Sequence, residues 1–347
     1  MDVQINRDES NAIKGLLIFL IVLGHNAFIT NYIQGIYHYL YSFHVACFFI
    51  LSFSYPAKQL SKERIENYFI RMYSPYVAFF LLFLIAKIAF THYGINIEGN
   101  SENTEKTYLG CLSALINGGI HKIPIYIGFQ YLWFLPTMFS FSVLKDYYYT
   151  TNNVQKRLML VGGAVCFICL YVFMYTTPYD KGINMTIERY SLFSVLQALG
   201  IFFLSWCSLL IVGRCKNKKV ILIAFVALTT MYWMNMDVIG VKWTVRCFMP
   251  MVVFAILYHY KGWLQEHVFL RKIGKVSMPI YLVQTPIATI CYILFPKIMN
   301  CDNIIFILFS QIFIFGMSYY VGTLLTKIPI MKQILFPRTM KEWMGKE

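Results

Sequence analysis

Ten stretches of this chain are apolar and close to the length that a bilayer demands, and they dictate what the rest can fold into. They run near residues 13–29, 37–55, 74–91, 128–144, 158–175, 192–213, 219–235, 244–258, 277–296 and 304–326. A helix crossing the hydrocarbon core needs about 20 mostly apolar residues. No water is available there, so the backbone must bond to itself, as it does in a helix. The second and fourth runs are weakened by His and Pro, and the eighth is short and holds Arg246.

The connecting segments supply an independent test, because cytoplasmic loops are enriched in Lys and Arg. Place the N-terminus inside. Of the 30 Lys and Arg, 22 then fall in the N-terminal segment, the connections after the second, fourth, sixth and eighth runs, and the C-terminal tail. The opposite loops hold six: Lys106, Lys122, Lys181, Arg189, Lys242 and Lys297. Lys87 and Arg246 lie within runs. The expectation is an all-α polytopic membrane protein of about ten transmembrane helices with both termini cytoplasmic. It forms a single membrane domain over residues 1–347, ending in a short basic cytoplasmic tail, 327–347. The first run has no basic segment directly before it and no small-residue cleavage site after it, so it is not read as a cleaved signal. The longest loop, about 92–127, carries Glu98, Glu102, Glu105 and Lys106, falls outside, and is too small for a separate domain.

Composition narrows the function classes. Only 13% of residues are charged and 58% are hydrophobic, with a mean hydropathy of +0.57. Soluble domains carry about 25% charged residues, so an ordinary soluble enzyme is excluded, and a disordered chain is excluded by the hydrophobicity. The net charge of +14 sits where a bilayer surface would meet it, and no nucleic-acid partner is expected. The nine cysteines lie mostly in apolar runs, where Cys acts as a small hydrophobe. The Cys166–Cys169 pair is read as packing.

An ionisable side chain inside hydrocarbon is by default a functional candidate. His25 ends a run from Leu16 that holds no other ionisable group. Lys14 lies eleven residues earlier; at about 100° and about 1.5 Å per residue, the two share one helix face about 16 Å apart. The bland alternative is a snorkelling Lys and a His satisfied by a backbone carbonyl, and for this pair alone the two readings weigh equally. His44, in the second run, reaches a similar depth. No carboxylate or Cys completes a two-His metal site at usable spacing, and no metal is expected. Trp133 opens the fourth run, where Pro136 is expected to kink the helix; an interfacial belt residue is the competing reading of Trp133. Ser277, Tyr281 and Gln284 form one stripe on the ninth run, lining a polar path or joining two helices. Arg71 reads on composition as a positive-inside anchor. Arg246 is expected to pair with Glu188 or Asp237. There is no GxGxxG before a strand and no Walker sequence, no GxSxG elbow, no HxxxxD and no DxD.

Taken in order, Lys14-Gly15, Val22-Leu23-Gly24-His25, Phe43-His44, Phe48-Phe49-Ile50-Leu51-Ser52, Arg71 before Pro75, Trp133-Phe134-Leu135-Pro136, and Ser277 with Ile280-Tyr281-Leu282 resemble the integral-membrane acyltransferase family 3, in particular its fucose 4-O-acetylase-like branch. The resemblance spans about residues 7 to 325, and its first-run pattern is the most specific part. It implies ten core helices in a bacterial cytoplasmic membrane and transfer of an acyl group, usually acetyl from acetyl-CoA, to a carbohydrate hydroxyl. By that resemblance His25 is the catalytic residue and Lys14 its basic partner. Arg71, His44, Trp133, Ser277 and Tyr281 are expected to bind substrate or acyl-CoA. The implied partners are acyl-CoA, a polysaccharide or lipid-linked glycan, and membrane lipids, with no bound cofactor. Three positions depart from the family pattern: Asn11 replaces an Asp, Phe53 a Gly and Gln284 a His. The competing class is a polysaccharide or lipid-linked sugar flippase, whose folds often carry inverted repeats; no internal repeat is evident here.

Overall fold

The computed structural model describes residues 4–33, 35–92, 130–176, 193–235, 238–295 and 303–346. Every regular element among them is helical. The helices are α1 (Arg7–His25), α2 (Ala27–Tyr32), α3 (Ile36–Tyr41), α4 (His44–Phe53) and α5 (Lys62–His92). After a 3-10 turn, Gln130–Trp133, come α6 (Phe134–Thr150), α7 (Asn153–Thr176), α8 (Phe193–Arg214), α9 (Lys218–Met234) and α10 (Ile239–His259). The chain ends with α11 (Lys261–Glu266), α12 (Val268–Lys275), α13 (Ser277–Leu294), α14 (Ile304–Lys327), α15 (Pro329–Leu335) and α16 (Met340–Trp343). The described part of each of the ten apolar runs is mostly helical. Among the described residues, five stretches are long and apolar enough to cross a membrane: Ile36–Phe53, Val195–Arg214, Gly240–His259, Ser277–Leu294 and Ile304–Lys327.

The distribution of side chains is that of a protein solvated by lipid. On α14, Ile305 is 75% and Ile312 71% exposed, while Ser310 and Gln311 between them are buried. Ser205, Ser208 and Ser318 are also buried, and Leu158, Val161, Ile223 and Val226 face outward. In water this pattern would waste apolar burial. In a bilayer the outward apolar faces cost nothing, and small polar residues join helices.

The chain divides into two compact units. One comprises Met1–Pro56 and Phe203–Lys327, the other Ala57–Phe202 and Ile328–Glu347.

The first unit is organised on α1. Asn6 begins this helix with a capping box: its side chain accepts the N–H groups of Asp8 and Glu9 at 2.9 Å, and Glu9 accepts the Asn6 N–H at 2.7 Å. The short α12 lies on α1 at backbone distance. A Cβ on Gly15 would stand 2.1 Å from the Leu270 carbonyl oxygen, and one on Gly274 1.7 Å from that of Asn11. Ion pairs Lys261–Glu9 (3.2 Å) and Arg271–Asp8 (3.5 Å) close the same end.

The first apolar run is expected as one helix through residue 29, but α1 stops at His25. The cause is Asn26, which is fully buried with an extended backbone (φ −80°, ψ 102°). Its side-chain oxygen accepts from Phe28 N–H at 3.1 Å and so starts α2. Its amide donates to Ser310 Oγ and Gln311 Oε1, both at 3.1 Å. The break frees backbone groups, and Tyr292 takes them: its hydroxyl donates to the His25 carbonyl at 3.1 Å and accepts from the Ala27 N–H at 2.6 Å. A helix broken at bilayer depth is tolerated where protein groups satisfy it in this way.

In the second unit α5 packs on α6 around Asp146, which is fully buried. The Arg64 guanidinium pairs with Asp146 Oδ2, and the Tyr68 hydroxyl donates to the same oxygen at 2.8 Å. Residues after 327 are folded onto α5. Asn67 Oδ1 accepts the Met340 N–H at 2.8 Å, Ser74 donates to the Ile334 carbonyl, and Lys332 pairs with Glu342 at 3.0 Å. A kink is expected at Pro136, and the position of that residue in the helix removes the usual reason for one. The helix begins at Phe134, so Pro136 is its third residue, where an N–H has no partner to lose. The expected 92–127 loop, from residue 93 onward, lies outside the described residues.

Candidate active site

His25 is the last residue of α1 and is half-buried. Its Nδ1 stands 2.8 Å from the Ile21 carbonyl oxygen, one turn back on the same helix. A carbonyl only accepts, so Nδ1 carries the proton and Nε2 carries the lone pair. That lone pair accepts the hydroxyl of Tyr41, with the rings edge to face at 5.3 Å. The backbone bond of the bland alternative is therefore present at one nitrogen, while the other is turned to a side-chain donor.

His44 repeats the arrangement. It opens α4, is fully buried, and donates Nδ1–H to the Leu40 carbonyl four residues earlier. Its Nε2 has no hydrogen-bond partner among the described residues. The Tyr41 ring stands edge-on to it at 4.7 Å and 89°. Both histidines thus touch one tyrosine, each at a helix terminus and each with an Nε2 lone pair.

The third approach comes from α13. Gln284 is 1% exposed, and its Nε2 lies 3.4 Å from His25 Nδ1. Its Oε1 is buried with no hydrogen-bond partner among the described residues, so the Gln284 amide contacts His25 through its nitrogen end alone. Gln284 is the residue that departs from the family's His, and it meets the imidazole all the same. Tyr281, one turn earlier, is buried and interacts electrostatically with Tyr41. Ser277 begins α13, about 10 Å along the axis from Gln284, and is half-buried.

Lys14 sits on the same helix as His25, with the helix continuous between them. It is half-buried, and its ammonium lies 5.3 Å from the centre of the Tyr55 ring, whose hydroxyl bonds Ser10. Arg71 and Trp133 belong to the second unit. Arg71 is exposed on α5. Trp133 is half-buried at the end of the 3-10 turn, and its carbonyl accepts from Thr137 at 3.1 Å. Arg246 lies over the Trp243 ring at 4.6 Å and 3.4 Å from His38 Nδ1. Glu188 and Asp237, its expected partners, are outside the described residues.

Three functional candidates escape the sequence reading: Tyr41, Asn26 and Tyr292. Tyr41 carried no signal beyond its spacing of three from His44. Asn26 carried one, since Asn is a preferred helix-capping residue, and here it interrupts an apolar run directly after the histidine.

Among the described residues the protein is helical with lipid-type outer faces, and its first helix ends on an imidazole that presents a lone pair, an arrangement in keeping with a membrane-associated protein. The family model described as "Acyltransferase domain", that of acyltransferase family 3, matches residues 7–326, and the chain belongs to that family. It is an acyltransferase. No curated protein and no solved structure matches it.

Proposed function

We propose that this acyltransferase works within the cytoplasmic membrane, on about ten spans with both termini inside, and moves acetyl from acetyl-CoA to a hydroxyl of a surface carbohydrate or its lipid-linked precursor. The observation that carries the reading is the state of His25: Nδ1–H is tied to the Ile21 carbonyl, so Nε2 is the basic atom.

In this mechanism the acceptor O–H gives its proton to His25 Nε2 as its oxygen attacks the thioester carbonyl carbon. The C–S bond then breaks, and the leaving CoA sulfur takes the proton back from the imidazolium. Buried donors such as Tyr281 or the Gln284 amide stabilise the oxyanion. Lys14 draws the CoA phosphates to the inner mouth, and the pantetheine arm bridges the distance from there to His25. His44 and Ser277 contact the acceptor or the acyl chain. For Arg71 and Trp133 as acyl-CoA or acceptor contacts, the proposal rests on the family resemblance alone. Residues 1–347 act as one acyltransferase domain with a basic cytoplasmic tail from 327.

Purified protein supplied with acetyl-labelled acetyl-CoA tests the reading. The wild type releases or transfers the label, and His25→Ala, inserted to the same level, loses about 10²–10⁴-fold, the range of general-base catalysis. Retention of wild-type turnover by that variant removes His25 from the mechanism.

A further inference from the structure

Of the two imidazoles in the site, only one has a donor on its lone pair. His44 Nε2 is wholly buried, yet no described residue donates to it. Its tautomer leaves no second choice, because Nδ1–H is committed to Leu40. A buried acceptor without a donor is costly, and it persists where a donor is supplied for part of a cycle. The closest phenol is already present. Tyr41 is the last residue of α3 and touches both rings, at 5.3 Å from His25 and 4.7 Å from His44. Its hydroxyl holds His25 Nε2. That is the same lone pair the acceptor hydroxyl must reach, so catalyst and phenol cannot stay paired while substrate reacts.

We propose that Tyr41 is a displaceable cap on His25, whose phenol O–H covers the Nε2 lone pair in the resting site and turns to His44 Nε2 when a ligand hydroxyl takes its place. The inference rests on His25 being the base. It assigns Tyr41 as a positioning residue and gives His44 a second task, that of receiving the cap. The exchange conserves hydrogen bonds: one phenol O–H leaves one nitrogen for another, and the ligand O–H fills the position vacated. It also keeps water off the base until an acceptor arrives, which suits an enzyme whose thioester must not be hydrolysed. Tyr37, its ring tilted at 33° to that of Tyr41 with centroids 4.3 Å apart, is also a side-chain hydrogen-bond partner of Tyr41 and stays beside the phenol in either position.

Tyr41→Phe keeps the ring and removes only the hydroxyl. Two measurements on this variant in lipid nanodiscs decide the matter. The first is nitrogen NMR of labelled histidine, with His25→Ala and His44→Phe to assign the signals. Removing the phenol should move the His25 Nε2 resonance and leave that of His44 in place. The second is hydrolysis of acetyl-CoA with water as the only acceptor, expected to rise about 3- to 10-fold in Tyr41→Phe as the base is uncovered. An unmoved His25 nitrogen overturns the proposal. So does a fall in hydrolysis, which would make Tyr41 a fixed donor. If His25→Ala hydrolyses acetyl-CoA as the wild type does, it is the reading of His25 as base that fails, and the NMR result still reports whether the cap exists.

Discussion

At the scale of single residues, the chemistry depends on which nitrogen holds a proton. In both His25 and His44 the carbonyl four residues earlier fixes Nδ1–H, on the same helix for His25 and at the end of the preceding α3 for His44, so the local backbone selects the tautomer. This device needs no further acidic partner. Lys14 is a different kind of group, a point charge on a flexible stem. Its proposed work is attraction rather than shaped recognition, so Lys14→Arg should retain most acetyl transfer and Lys14→Ala should raise the KM for acetyl-CoA several-fold. Equal loss in both variants would argue against a charge role. His25, Lys14 and the Tyr281/Gln284 stripe are legible in the chain, because they are polar residues at helical spacing in apolar runs. Tyr41 is not, since tyrosines are common here (26 in all) and only the contact with two imidazoles singles one out.

At the scale of elements, two features hold His25 where it is. One is the break at Asn26. The other is the seating of α12 on α1, which Gly15 and Gly274 permit by bringing backbone against backbone. Gly274→Ala places a methyl 1.7 Å from the Asn11 carbonyl oxygen, which nothing but movement of a helix can relieve. Overpacking of this kind costs about 1–3 kcal/mol or more. The melting temperature of the purified variant in detergent should fall clearly, and Gly15→Ala should behave likewise. Gly262→Ala, with nothing within 4 Å, is the control and should melt as the wild type does. The expected single helix over 13–29 is broken at Asn26, and the expected kink at Pro136 meets a proline in the first turn of its helix, for one reason. Apolar periodicity locates a helix, but its ends are set by caps, and the Asn26 cap is completed by Ser310 and Gln311, which are distant in sequence.

At the scale of the whole molecule, exposed apolar faces and buried serines mark a protein that lives in lipid. The proposed arrangement of about ten spans with both termini cytoplasmic makes a sharp prediction. Reporters fused after residue 346 or in the 214–219 connection should be active only in the cytoplasmic form, and those placed in the 92–127 loop only in the exported form. Any loop with the opposite behaviour would refute the alternation. What the chain determined unaided is its helical, membrane-borne character and the family to which it belongs. Those are linear properties: run length against bilayer thickness, the sign of charge in successive loops, and the order of short motifs. Only the tertiary structure decided that the first helix stops at its histidine, that both imidazoles present Nε2, and that one tyrosine stands between them. These depend on contacts reaching up to 285 residues along the chain, as from Asn26 to Gln311, and no local pattern encodes such a contact.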